Sequence, residues 1–481
     1  MGTQGDPALM RVVRDLTLAY RTPAPPSAAR IDAAVVRALQ QRTDLPSLPR
    51  HGGIRVFPFH YQPGSRRLAH LSWRLALLLM ITSFGGGLAA ARVLPHAPAA
   101  TDDTSPILRT TPVGINPGPI AIDTRTGRAF VVNDGQYGGP DGSVSVLDTA
   151  TGKVLRSTPV EVAPAAIAVD VSSSRVFVVN SQLHSSKGPH GTVSVLDARS
   201  GSLLRTIRVG AIPLDITVDE RTNRAFVLNS YFSNDTQNEG QIPHATDANV
   251  SVLDATTGRV LHTVDLGPNP APGLGRAFFL DARHGRVYVS ESAGLGILDA
   301  SSGALLHVFP GLGSVQALDE QTGRAFVYAP QGMRVLDTQR GTVIRTIRGI
   351  YAYGGVMDRL DRRVIGTSAQ AAITLLDVGA GRIVGVVPLS RYHLPAVFAK
   401  PFPTVLAIDE RRHHALVAFP GPVDSQYTPT GNGLLAVVDD RTGALVRTVP
   451  VGRNPLTAAV DPATGRAFVV NGDSNDVTVL R

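Results

Sequence analysis

Residues 119–133 read PIAIDTRTGRAFVVN: an apolar strand closed by aspartate, a turn, and a second apolar strand. The unit recurs as AIAVDVSSSRVFVVN (166–180), DITVDERTNRAFVLN (215–229), AFFLDARHGRVYVSE (277–291) and VQALDEQTGRAFVYA (315–329). It continues as GGVMDRLDRRVIGTS (354–368), VLAIDERRHHALVAF (405–419) and TAAVDPATGRAFVVN (457–471). The marker aspartates are 47, 49, 62, 38, 39, 51 and 52 residues apart, centred on the ~40–50 residues of a propeller blade.

Each unit carries a third strand, such as GSVSVLD (142–148), GTVSVLD (191–197) or ANVSVLD (248–254), and then a fourth, such as KVLRSTPV (153–160) or SLLRTIRV (202–209). A blade therefore has four antiparallel strands, a to d. Alternation within them is blurred towards continuous apolarity, the pattern of sheets packed on both faces. Strands a, b and c occur eight times, ending in DVTVL (476–480), whereas d follows only the first seven. The missing strand is ILRTTPV (107–113), which matches LLRTIRV (203–209). The N-terminal strand would thus complete the last blade and remove the open edges. The expected fold is all-β, an eight-bladed β-propeller over 105–481. Seven blades is the alternative if the divergent sixth unit is not a blade.

The aspartates invite a catalytic reading, but Asp123, Asp148, Asp197, Asp254, Asp281, Asp319, Asp337 and Asp461 mostly open D-x-x-[ST]-G-x turns. Aspartate in the first position accepts backbone N–H groups ahead of it, and glycine supplies the left-handed residue that ends the turn. These read as hairpin turns between a and b and between c and d. His413-His414 reads as a solvated replacement for Thr-Gly.

Such tight turns occupy one face of the propeller. Every long insertion falls on the other, in the b–c connections 134–142, 181–191, 230–248 and 420–433 and the d–a connections 267–275 and 390–403. Loops that grow on one face of a rigid scaffold are where binding resides. Candidate ligand-binding residues are His184, His190, Tyr231, Asn234, Asp235, His244, Tyr392, His393 and Tyr427. They show no metal-ligand spacing and no nucleophile–base–orienter set, so no metal, cofactor or catalytic residue is expected. With no cysteine in the chain, thiolate metal sites, disulfides and a cysteine nucleophile are excluded.

The net charge of +8 is not a nucleic-acid signal. Residues 1–104 hold 12 arginines against 6 acidic residues, leaving 34 basic against 32 acidic in the rest. A nearly neutral propeller lacks the basic footprint that phosphates require.

The arginine excess has another explanation. Residues 75–91, LALLLMITSFGGGLAAA, carry no charge and follow Arg66, Arg67, Trp73 and Arg74. Apolar length, arginines on the leading side and tryptophan at the junction predict a transmembrane signal anchor over 73–94, with the N-terminus cytoplasmic. A signal peptide cleaved near Ala91 or Ala99 and a buried core helix are the competing readings. Residues 1–72 are proline-broken, with helical spacing only near 31–41, and 95–104 form a linker. The layout predicts a single-pass cell-membrane protein with its propeller, a monomer, outside the cytoplasm.

The phrases VGINPGPIAID (113–123), GRAFVVN (127–133), SVSVLD (143–148) and VGRNPLTAAVDPATGRAFVVNGDSNDVTVL (451–480) resemble the YVTN-type β-propeller repeat. That family is known from surface-layer and exported proteins and is related in shape to quinoprotein and lactonase propellers. The resemblance covers about 107–481 and implies the fold; propellers host many functions. Phenylalanine replaces the repeat's tyrosine at Phe130, Phe177, Phe226 and Phe468. A lactonase's or lyase's catalytic residues find no counterparts. The only tryptophan, Trp73, lies outside the propeller, so the tryptophans that stack on a pyrroloquinoline cofactor are missing. The expectation is a binding module for a protein or glycan on the elaborated face. The alternative is an exported, lactonase-like hydrolase or lyase working at the mouth of the central channel, which the mostly apolar a strands disfavour.

Overall fold

The computed structural model describes residues 106–481 except 136–141, 182–190, 231–246, 269–277, 292–293, 314, 330–331, 349–351, 369–371, 395–402 and 425–427. The chain divides into two units, Met1–Ser65 and Arg66–Arg481, and all described residues belong to the second. The predicted membrane segment 73–94, the tail 1–72 and the linker 95–104 lie outside them. Among the described residues no helix is long and apolar enough to cross a membrane.

The described residues form eight four-stranded antiparallel sheets in sequence order. Blade 1 is Pro117–Asp123, Arg128–Asn133, Ser143–Asp148 and Val154–Pro159; the next six repeat that order. The divergent sixth unit is a blade like the others, with Ala352–Asp358 as its strand a and Arg363–Ser368 as its b. In blade 8, Pro455–Asp461, Arg466–Asn471 and Asp476–Leu480 are joined by the N-terminal strand Ile107–Pro112. Thr110 pairs with Thr478 and Pro112 with Asp476 in that last ladder.

Burial explains the apolar pattern. Strand b of blade 1, RAFVVN, is buried at every position after its arginine, whereas the outer strand VLRSTP is exposed at all but one. The two faces of strand b serve two neighbours. Phe130 and Val132 pack against Val176 and Val178 of blade 2, while Ala129 and Val131 pack against Phe468 and Val470 of blade 8. Eight such clusters each join two consecutive blades. Burying one phenylalanine contributes about 2–3 kcal/mol. Phe130, Phe177, Phe226, Tyr288, Phe326 and Phe468 occupy the same third position of strand b, fully buried. Blades 6 and 7 differ, with Ile365 and Leu416 there.

The turn aspartates do what their spacing predicts. Asp123 Oδ1 accepts the N–H groups of Arg125 (2.9 Å) and Thr126 (3.2 Å), and Gly127 takes φ +64°. In the c–d turn of blade 4, the Ser301 hydroxyl and the Ser302 N–H hold the Asp299 carboxyl down to about 2. All eight a–b turns have four residues, and the seven c–d turns four or five. The b–c connections, by contrast, run from 2 residues between Glu291 and Gly294 to 16 between Ser230 and Asp247.

Candidate functional site

One of these turn regions departs from the rest. In most blades the N–H after the c-strand aspartate donates to the carbonyl of the left-handed residue in the same blade's a–b turn. The pairs include Thr149–Gly127 (3.0 Å), Ala255–Asn223 (3.1 Å) and Asp440–His413 (2.9 Å). The residue after that aspartate is Thr149, Ala198, Ala255, Ala300, Thr338 and Val378 in blades 1 to 6, all buried, small or neutral. Blade 7 places Asp440 there, 0% exposed.

At two junctions this residue faces the a-strand aspartate of the preceding blade. At the junction of blades 4 and 5, the Thr338 hydroxyl donates to Asp281 Oδ2 (3.3 Å). At the next junction the left-handed residue, Arg362, reaches Asp319 Oδ2 at 2.8 Å. Blades 6 and 7 have neither device. Asp440 faces Asp358, and the left-handed residue is His413, φ +57°.

Asp358, Asp361, His413 and Asp440 each turn a potential ligand atom towards a common point, all within 4.8 Å of one another. His413 Nδ1 lies 3.1 Å from Asp361 Oδ2, 3.7 Å from Asp358 Oδ2 and 4.0 Å from Asp440 Oδ1, none in hydrogen-bond geometry. Asp358 Oδ1 caps its own turn through Leu360 N (2.8 Å) and Asp361 N (3.1 Å). Its Oδ2 and both Asp440 oxygens have no hydrogen-bond partner. Arg441 grips Asp361 through Nε and through Nη2 (3.2 Å to Oδ1) and draws its carboxyl below the usual range. Burial, then the charge of Asp358, pushes Asp440 up to about 8. A buried carboxylate without donors must acquire a proton or a cation.

Sequence reading missed this group. It also misaligned the histidine pair: Arg412-His413, not His413-His414, stand where Thr126-Gly127 stand in blade 1, and His414 opens strand b. His413 is not a solvated turn residue, since its side chain is only 22% exposed and turned in among carboxylates. The available signal was the doubled Asp439-Asp440, at a position where six other units carry alanine, threonine or valine.

Of the predicted ligand-binding residues, His184, His190, Tyr231, Asn234, Asp235, His244 and Tyr427 lie outside the described residues. The two that are described adjoin a one-turn 3-10 helix, Leu389–Tyr392. Its Tyr392 is buried against blade 7, the hydroxyl donating to Gly443 O at 2.7 Å. Strand-d threonines make the same bond elsewhere, Thr111 to Gly152 (2.7 Å) and Thr158 to Gly201 (2.6 Å). His393 is exposed and ends the helix with φ 49°. Neither lies in the carboxylate–histidine group.

The family profile described as outer membrane protein assembly factor BamB matches residues 140–385, about half of the chain. No curated protein matches. Among solved structures, the computationally designed Ika8 protein aligns at TM-score 0.52 and 15% identity, covering 77% of this chain and 98% of its own. BamB from Moraxella catarrhalis aligns at 0.48 and 14%, covering 81% and 98%, and Kuenenia stuttgartiensis hydrazine synthase at 0.44 and 15%, covering 82% and 99%. The sequence resemblance thus holds at the level of a quinoprotein-like propeller, and its YVTN type rests on the repeat phrases alone.

Proposed function

This chain belongs to the outer membrane protein assembly factor BamB family, and from that premise we propose that it is a protein-binding propeller displayed outside the cytoplasm. The anchor is residues 73–94, the pairing of 107–112 with 476–480 closes the ring, and the binding face is the one that carries the b–c and d–a connections. A scaffold of repeated blades offers a rigid platform on which connecting loops diversify.

The observation that carries this reading is the inequality of the two ends of the blades. Eight a–b turns keep one length, four residues, while the b–c connections of blades 1, 2, 3 and 7 contain 9, 11, 16 and 14. Between blades 6 and 7 the d–a connection adds 15 more. The long connections thus gather on blades 7 and 1 to 3, one side of the ring. The family description, an assembly factor, favours a protein over a glycan as the partner.

The test is photo-cross-linking in the native host, from a reactive residue placed at Asn234 in the longest b–c connection or at exposed Arg283 in an a–b turn. Discrete adducts from Asn234 and none from Arg283 support the reading. Equal labelling from both positions, or turnover of a lactone panel by the purified full chain, overturns it.

A further inference from the structure

We propose that Asp358, Asp361, His413 and Asp440 hold a divalent transition-metal ion of the Mn2+ to Zn2+ class, clamping blade 6 to blade 7. The first argument is spacing. With metal–ligand bonds of about 2.1 Å, adjacent ligand atoms sit about 3.0–3.4 Å apart and opposite ones about 4.2 Å. The distances from His413 Nδ1, 3.1, 3.7 and 4.0 Å, fall within that span.

The second argument is the unfilled bonding capacity. Three oxygens of the fully buried Asp358 and Asp440, together with His413 Nδ1, point inward without a hydrogen-bond partner. Buried polar groups in folded proteins are mostly paired. Asp123 Oδ2 in the equivalent turn of blade 1 is also without a partner, but it stands alone, whereas here three such oxygens and an imidazole nitrogen meet. A turn aspartate satisfied by its own backbone has no use for a second carboxylate against it.

Charge gives the third. Three carboxylates meet one guanidinium, that of Arg441, which is spent on Asp361. The neighbouring Asp439 is occupied by Arg441 N (3.1 Å) and Thr442 N (2.7 Å), and Arg363 donates to the Arg441 carbonyl instead of to the group. With all three carboxyls ionised, the charge left over is about −2, the complement of a divalent cation, whose binding would displace the proton that Asp440 otherwise holds. At the preceding junction the same location holds a built-in cation, Arg362 on Asp319. Here a metal-ligating imidazole replaces the guanidinium and a carboxylate replaces the small residue.

Ligand type selects the ion. One imidazole nitrogen among carboxylates suits Mn2+, Fe2+ or Zn2+, whereas Ca2+ and Mg2+ prefer all-oxygen shells. Asp361 and His413 retain 23% and 22% exposure, which leaves a way in from solvent.

The full chain in detergent, stripped with chelator, is titrated with Mn2+, Zn2+, Ca2+ and Mg2+ while bound metal and thermal midpoint are followed. The comparison variants are Asp440→Ala and His413→Gly, each of which installs the residue that other blades already fold with. Expected are one Mn2+ or Zn2+ per chain and a midpoint raised by several degrees. Both variants should weaken binding at least tenfold and lose the rise. The Mn2+ resonance should show nitrogen coupling that disappears in His413→Gly. No stoichiometric ion in the wild type, equal midpoint shifts in wild type and variants, or a response to Ca2+ and Mg2+ as large as to Mn2+ and Zn2+ would each overturn the proposal.

Discussion

Asp440 and Asp358 face each other across the junction of blades 6 and 7, both 0% exposed, with three of their four carboxylate oxygens lacking any hydrogen-bond donor. Without a cation this arrangement is costly, since a buried polar group left unpaired costs about 1–3 kcal/mol. In metal-free buffer, Asp440→Ala should therefore stabilise the protein by about 1–3 kcal/mol, because Ala198, Ala255 and Ala300 show that the position packs well with a methyl group. Urea unfolding in chelator measures it. A destabilised variant would mean that the pair is satisfied internally, by a shared proton.

Asp215 supplies a pH signature elsewhere in the ring. Its Oδ1 accepts Ile216 N and its Oδ2 accepts Phe278 N, both at 2.8 Å, tying strand a of blade 3 to that of blade 4. Burial raises its carboxyl to about 6, from 3.8 in the unfolded chain. Below pH 3.8 both states are protonated and the full contribution is present. Between 3.8 and 6 the unfolded chain ionises first, so stability falls as pH rises, and above 6 the loss is constant. The stability difference between wild type and Asp215→Asn should drop by about 2 kcal/mol from pH 4 to pH 6.5. Taking that difference cancels the other carboxylates. A flat difference across the range would show Asp215 to be ordinary.

The fold was legible because it is written eight times. A strand such as RAFVVN has both faces buried by neighbouring blades, so its sequence is apolar throughout, and the turn that precedes it needs aspartate and a left-handed residue. The carboxylate–histidine group has no such redundancy. It joins residues 358, 361, 413 and 440 from two blades, and only after the blades are aligned does Asp440 stand out from alanine and threonine. Tyr392 was hidden differently. The polar sequence SRYH looks like exposed loop, yet Val387 in the outer strand of blade 6 carries no hydroxyl, and a 3-10 turn brings the tyrosine in to supply one.

That placement of Tyr392 separates packing from ligand binding. Tyr392→Phe keeps the ring and removes only the bond to Gly443 O, so about 1 kcal/mol of stability should be lost. Tyr392→Ala empties a site shared with Val405 and Val417 and should cost about 3–5 kcal/mol. Denaturant midpoints test both. A Phe variant with unchanged stability but weakened binding of a partner would return Tyr392 to the binding face.

The motif Val-Gly that precedes several a strands is a packing constraint rather than a hinge. A Cβ on Gly210 would lie 2.6 Å from Asn229 Cγ and 2.8 Å from its Cβ. That asparagine cannot retreat, because its Nδ2 donates to Ser251 Oγ and to Asn249 Oδ1, both at 2.9 Å. Gly114 meets Asn133 and Gly452 meets Asn471 as closely, whereas blade 2 combines Glu161 at the glycine position with Asn180 at the end of strand b. Gly210→Ala should therefore cost about 1–3 kcal/mol through overpacking. Gly118→Ala is the control, since its added methyl meets nothing within 4 Å, and stability should hold or rise slightly. The deciding measurement is the double-mutant cycle with Asn229→Ala. Removing the asparagine removes the clash, so the pair should be less destabilising than the sum of the singles by about 0.5–2 kcal/mol. Strict additivity would mean that the glycine is needed for backbone freedom, with the contact to Asn229 incidental.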